Sequence, residues 1–375
     1  MIKDNNRQEY VISPAASERL TILKVIFTIM VLFGHSYSNT LSFADEQIVV
    51  TGAEWLSRFK VIVSSVIVSI SVPGFYFMSA FLLYKKPYSY MDNLRKKIRR
   101  IAVPYLIVTT FWIAALYIAQ KIPGLNLLFS GSNRVITGWS AKDWIEAYWG
   151  SSNSRFPFVY PLWFLRDLFV MNALSKVFDV ITDLLGDFSI ILFILPWLFA
   201  ASSPVYFCDI RAVCFWGIGC YFAKRPGSLS FLERINKGVL TVAFIVLTAA
   251  SYIVSEAGFG GALVVYRISV IVSLMFWYMI TSVIGSRSKT FLLSLAKYSF
   301  CIYLFHEFSM TTLKKILAKI LPASVAFQFI EFILIPVIIL FFTIACCMLL
   351  ERFTPGLYAV LNGLSPRARK SAAAK

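Results

Sequence analysis

Residues 24–38 read KVIFTIMVLFGHSYS, an apolar run that carries Lys24 at one end and His35 eleven residues later. The 375 residues include only two histidines, so one placed inside such a run demands a reason. On an α-helix, eleven residues turn the chain by about 1100°, roughly 20° past three full turns, and rise about 16 Å. Lys24 and His35 therefore share one helix face. An ionisable group at membrane depth is costly and by default marks a cavity or a relay. A structural reading stands beside it, with Lys24 snorkelling to the headgroups and His35 closing a helix end.

Composition makes this run a membrane span. The chain is 58% hydrophobic and 16% aromatic, with 34 phenylalanines and only 15% charged residues. So little charge could not cover a soluble surface. Apolar runs of about 20 residues, each long enough to cross roughly 30 Å of hydrocarbon, recur along the chain. Ten spans are expected, at 20–38, 60–84, 101–122, 161–181, 188–203, 210–223, 238–256, 262–285, 291–310 and 327–350. No polar domain separates them. The expectation is an all-α integral membrane protein, a bundle of about ten transmembrane helices forming a single domain over 1–375, with its core at about 19–360.

The net charge of +17 does not call for a nucleic-acid partner, because most of it lies in short loops beside the spans. With the N-terminus inside, inner segments hold 22 Lys and Arg and outer segments 10, which places both termini in the cytoplasm. The first 20 residues are polar and of mixed charge, unlike a cleavable signal. The six cysteines show no zinc-type CxxC pairs, and Cys208, Cys214 and Cys220 read as packing residues. The basic tail SPRARKSAAAK, 365–375, receives no function. GWSAKDWIEAYWG, 138–150, reads as an amphipathic piece at the outer interface, structural or covering the mouth of a site.

Several further residues could carry chemistry. His306 and Glu307, in YSFCIYLFHEFSM, fall at a depth comparable with His35. Two neutral imidazoles facing one cavity could share base and orienting roles near neutral pH. KKPYSYMDNLRKKIRRIAVPY, 85–105, places Lys97, Arg99 and Arg100 beside the third span, either as a topology signal or facing a phosphorylated ligand. Arg166 and Asp167, in PLWFLRDLFV, either pair with other residues or hydrogen-bond an entering acceptor. Arg267 is a further buried charge, and Pro73-Gly74 predicts a kink in the second span.

Taken in order, these pieces resemble the acyltransferase-3 family of bacterial membrane proteins. The resemblance rests on LKVIFTIMVLFGHS, SVPGFYFMSAFLL, RKKIRRIAVPY, LWFLRDL, FWGIGCYFAK, SFCIYLFHE and LERFTPGLY, and runs from about residue 19 to 360. It implies an enzyme of the bacterial cytoplasmic membrane that moves an acyl group, usually acetyl, from cytoplasmic acyl-CoA to a hydroxyl of a surface carbohydrate or lipid-linked glycan. Acetyl-CoA would be a co-substrate; no tightly bound cofactor and no metal are expected. The resemblance makes His35 the essential base, with Lys24 and the basic run near the donor. The family's spaced arginine pair fits here as Lys97 with Arg100 or as Lys96 with Arg99, with lysine at the first place either way. Candidate oxyanion donors are Tyr303, Arg166 or a backbone amide. Direct transfer is expected rather than an acyl-histidine intermediate. The rival readings are a transporter or flippase of lipid-linked glycan, with His35 as proton relay, and a non-catalytic scaffold. Oligomeric state is left open.

Overall fold

The computed structural model describes residues 12–364, except 38–39, 44–45, 50–52, 124–134, 152–154, 200–202, 204–207, 226–228 and 322–323. The tail at 365–375 lies outside the described residues. Among the described residues the regular structure is helical apart from one antiparallel hairpin, β1 (Thr40–Phe43) with β2 (Glu46–Val49). The helices are α1 (Pro14–Ser36), α2 (Glu54–Val61), α3 (Ser71–Tyr84), α4 (Tyr90–Lys97), α5 (Val103–Lys121), α6 (Ala141–Trp149), α7 (Trp163–Ala173), α8 (Ser175–Leu185) and α9 (Phe188–Phe199). They continue as α10 (Ile210–Ala223), α11 (Phe231–Arg234), α12 (Lys237–Glu256), α13 (Ala262–Ile280), α14 (Ser286–Leu295), α15 (Ser299–Ile320), α16 (Val325–Phe353) and α17 (Pro355–Leu361).

Among the described residues, five helical segments are long and apolar enough to cross a membrane: Glu54–Tyr84, Tyr90–Lys121, Lys237–Glu256, Ala262–Ile280 and Val325–Phe353. Phe188–Phe199 and Ile210–Ala223 are apolar but shorter. Helices α1 and α15 have the length, 23 and 22 residues, but carry charges that dilute their hydropathy. Of those charges, Glu307 and Lys314 of α15 prove to belong to the candidate site.

Three sequence expectations are corrected. The expected fourth span at 161–181 is two helices, α7 and α8, interrupted at Leu174. The ninth does not end at 310, because α15 continues to Ile320. Its lysines lowered the hydropathy there without ending the helix. The kink expected at Pro73-Gly74 lies earlier, where residues 62–67 adopt π-helical and 68–70 3₁₀ geometry before α3 starts. Pro73 sits in the first turn of α3, directly after this irregular stretch. Gly74 instead makes room for the Phe27 ring, which a Cβ would meet at 2.1 Å.

The described chain forms two compact units. One comprises 1–27, 69–96 and 170–296; the other comprises 28–68, 97–169 and 297–375. In the first unit α10 packs closely on α3, centred on buried Trp216, whose indole N–H donates to the Tyr84 hydroxyl at 3.2 Å. Tyr84 in turn donates to the Ser175 carbonyl at 2.5 Å. The Asp209 side chain caps α10 by accepting from the Arg211 amide at 2.8 Å. Cys208, Cys214 and Cys220 are buried here. In the second unit α15 packs on α16, and a Cys301–Cys347 disulfide crosslinks them, which the sequence reading did not foresee.

Gly219 is what lets α10 reach α3: a Cβ there would lie 2.5 Å from the Phe77 carbonyl oxygen and 2.9 Å from the Ala80 Cβ. Those neighbours cannot rotate away, as a flexible side chain would. Gly219→Ala is expected to destabilise this unit by about 1–3 kcal/mol, the range for overpacking a close contact. A lowered melting temperature of the detergent-solubilised protein is the readout; an unchanged melt would show that the helices separate freely.

Candidate functional site

His35 lies in the last turn of α1 within the second unit, and α15 supplies what surrounds it. On α15, Tyr303, Glu307 and Lys314 recur at steps of four and seven residues and so share a face, while His306 sits one position before Glu307. The His35 Nδ1 lies 3.0 Å from the Glu307 Oε2, and both side chains are about one quarter exposed, His35 at 23% and Glu307 at 26%. A carboxylate only accepts, so Nδ1 is the donor of this bond, and in the neutral ring Nε2 keeps its lone pair. The His306 ring centroid is 5.0 Å from that of His35, and the ring is fully buried. Its Nδ1 lies 2.8 Å from the Tyr303 backbone carbonyl and must donate to it, so Nε2 faces the site as an acceptor. That Nε2 has no hydrogen-bond partner among the described residues. The Tyr160 ring, 5.8 Å away edge-on, closes another side of His35.

Lys314 completes the arrangement, and the sequence reading missed it. Its Nζ donates to the His35 backbone carbonyl at 2.6 Å, satisfying one of the orphan carbonyls at the end of α1. Lys314 also interacts electrostatically with Glu307 and Glu331, and Glu331 with Lys60. Lys60 and Lys314 are both buried. Two lysines and two glutamates thus balance one another around the imidazole, the compensation that buried charge requires. The available signal was a charge within each of three apolar runs: Lys60 in SRFKVIV, Lys314 in TTLKKIL and Glu331 in FQFIEFIL. The orientation count had treated both lysines as loop charges.

The other expected residues lie elsewhere. Arg166 and Asp167 pair with each other at 2.8 Å and are essentially inaccessible. The Arg166 guanidinium also donates to the carbonyls of Trp149 and Arg155, so it holds the C-terminal end of α6. Gly150, at φ 89°, ends that helix, and a Cβ there would come within 3.0 Å of the Arg166 Nη1. This geometry matches the pairing alternative of the sequence reading. Helix α6 itself falls within the expected amphipathic piece. A capping box of Ser140 and Asp143 opens it, and the Ser140 hydrogen bonds hold the Asp143 carboxyl below its usual range. The Tyr303 hydroxyl donates to the Pro161 carbonyl, which places that residue against the loop before α7. In the first unit, the Lys24 Nζ donates to the Ala296 carbonyl at 2.9 Å, and the buried Arg267 guanidinium stacks 4.8 Å from the Trp197 ring.

The end of the basic run differs from its start, where Lys85 donates to the Ala223 carbonyl at 3.3 Å and Arg95 pairs with Asp92 at 3.8 Å. Residues 98–102 form a π-helical turn that ends two residues before Pro104, a local geometry that recurs at functional sites. Arg99 and Arg100 are exposed and Lys97 is half-buried; none makes a salt bridge or hydrogen bond among the described residues. Gly363, at φ 59°, brings the end of α17 against Arg100, whose Cα a Cβ would meet at 2.7 Å.

His35, His306 and Glu307 also offer one potential metal-ligand atom each, all within 4.8 Å of one another. The His35–Glu307 hydrogen bond already engages two of the three groups with each other, and the pair is explained by that bond without an ion.

Comparison with known proteins gives one match. The acyltransferase-3 family model, an acyltransferase domain, matches residues 18–352. No curated protein and no solved structure matches the chain.

Lys314→Met removes the cation that holds the His35 carbonyl and faces Glu307. It is expected to destabilise the protein by roughly 1–3 kcal/mol, as leaving a hydrogen-bonding group without its partner does, while Lys314→Arg keeps most of the stability. Thermal melts of both variants test this; equal melting of Lys314→Met and wild type would remove Lys314 from the charge balance.

Proposed function

We propose that this chain, which belongs to the acyltransferase-3 family, transfers an acyl group from cytoplasmic acyl-CoA, with acetyl as the group, to a hydroxyl of a surface carbohydrate or a lipid-linked glycan. The family match supports a multi-pass membrane acyltransferase. The finer reading adds a ten-helix arrangement in the bacterial inner membrane with both termini in the cytoplasm, in keeping with the excess of basic residues in alternate connections.

The observation that carries the proposal is the His35–Glu307 pair. Its geometry leaves the Nε2 of His35 free while Nδ1 donates to a carboxylate at 3.0 Å. In the proposed reaction the acceptor O–H proton passes to His35 Nε2 as the oxygen attacks the thioester carbonyl. The tetrahedral species collapses with cleavage of the C–S bond, the imidazolium returns the proton to the departing sulfur, and ester and free coenzyme A thiol result. Glu307 holds the ring in the productive tautomer and stabilises the imidazolium while it exists. His306 Nε2, a bare acceptor beside His35, suits a hydrogen bond from the incoming hydroxyl. Lys97, Arg99 and Arg100 suit the donor phosphates as point charge and forks.

His35→Ala is expected to abolish thiol release from acetyl-CoA in membranes supplied with acceptor. Glu307→Gln should leave about 10⁻² to 10⁻⁴ of the rate, the usual range for a lost acid–base element. Retained activity in His35→Ala would overturn the assignment of the base, and a wild type that moves glycan without releasing thiol would favour transport. Arg99→Ala with Arg100→Ala is expected to weaken acetyl-CoA binding in calorimetry more at low salt than at high, because salt screens exposed charges; identical low-salt affinities would free these residues of the donor role.

A further inference from the structure

The first unit encloses a cavity of about 270 Å³ that the proposed reaction does not use. Leu23, Phe77, Ile194, Phe215, Ile271 and Leu274 are among its walls, and among the described residues Tyr278 is the one polar residue lining it. A second cavity of about 210 Å³ shares Leu232 and Tyr278 with it and is of the opposite character. Arg19, Glu233, Lys237 and Ser282 line that one. Arg19 donates to Glu233 at 2.7 Å and lies 5.9 Å from the Tyr278 ring, so one cation is already neutralised. Lys237 is exposed and has no partner among the described residues. The rim thus carries two cations and one anion, with an uncompensated ammonium.

The position of the rim is informative. Arg19 lies in the second turn of α1, Lys237 begins α12 and Ser282 follows the end of α13, so these helix ends meet at one edge of the unit. Both α12 and α13 are long and apolar enough to span a membrane. Val239, Val242, Val246 and Ile253 of α12 are exposed, an apolar exterior suited to hydrocarbon rather than water. An apolar chamber that adjoins a cationic rim at helix ends has the two-part character of a phospholipid: acyl chain inside, phosphodiester at the membrane interface.

We propose that this pair of cavities binds one anionic phospholipid of the surrounding bilayer, with an acyl chain in the apolar chamber and the phosphodiester on Lys237 and Arg19. The site includes none of His35, His306 or Glu307, so it stands or falls independently of the transfer reaction.

The test is native mass spectrometry of the full-length protein in mild detergent, titrated with phosphatidylglycerol and with phosphatidylcholine of identical chains. Phosphatidylglycerol is expected to bind about tenfold more tightly, a difference that Lys237→Glu abolishes. Leu274→Trp, which fills the chamber, is expected to weaken both lipids by about tenfold. Glycerol phosphate without acyl chains is expected not to compete with wild-type binding, which keeps the chamber testable if Leu274→Trp does not fold. Equal affinity for the two lipids, an unchanged preference in Lys237→Glu, or effective competition by glycerol phosphate would each overturn the proposal. So would full affinity in a folded Leu274→Trp.

Discussion

A carboxylate on one helix and an imidazole on another, 3.0 Å apart, set the terms for the second unit. Glu307, about one quarter exposed beside His35, takes a counter-charge from Lys314 two turns along α15. Lys314 then needs its own surroundings balanced, which brings in Glu331 and, beyond it, Lys60. The network fixes more than protonation. Because the Lys314 ammonium also holds the His35 carbonyl, the end of α1 and the face of α15 cannot shift without losing both that hydrogen bond and the His35–Glu307 contact. The His35 imidazole is positioned by the same group that balances its partner's charge.

Rigid supports of a different kind lie nearby. The Arg166–Asp167 pair ties α7 to the end of α6, and the Tyr303 hydroxyl ties α15 to the loop before α7. The Arg166 guanidinium and the Tyr303 hydroxyl are each directed to a backbone carbonyl left over at a helix end or in a loop. In a low-dielectric interior such carbonyls have no water to accept from, so side-chain donors take that place. Conspicuous buried charges can therefore be architecture, whereas the partly exposed groups around His35 keep a face open.

Much of the fold could be read from hydropathy because lipid-exposed helices must be apolar. The expected spans at 210–223 and 238–256 fall within a residue of α10 and α12. Hydropathy failed where helices carry buried charge: α15 outruns its expected end by ten residues because Lys314, Lys315 and Lys319 look like loop residues in a linear reading. The helical step linking Lys24 and His35 survives in the single helix α1. The approach of His306 and Glu307 to His35 was not derivable, since it depends on tertiary packing. Nor could spacing separate the two alternatives for Arg166, because both need a charge at the same point in the chain.

The π-helical turn at 98–102 bears on how the basic run should be compared between chains. Such a turn holds one residue more than the α-helical path it replaces. Removing one residue within it would restore regular winding while rotating everything upstream by about 100° relative to α5. Two homologues could then share an identical three-residue step between cations and yet point them in different directions. The ambiguity between the pairs Lys96/Arg99 and Lys97/Arg100 is of this kind: linear register and angular register have come apart, and only the latter has chemical meaning.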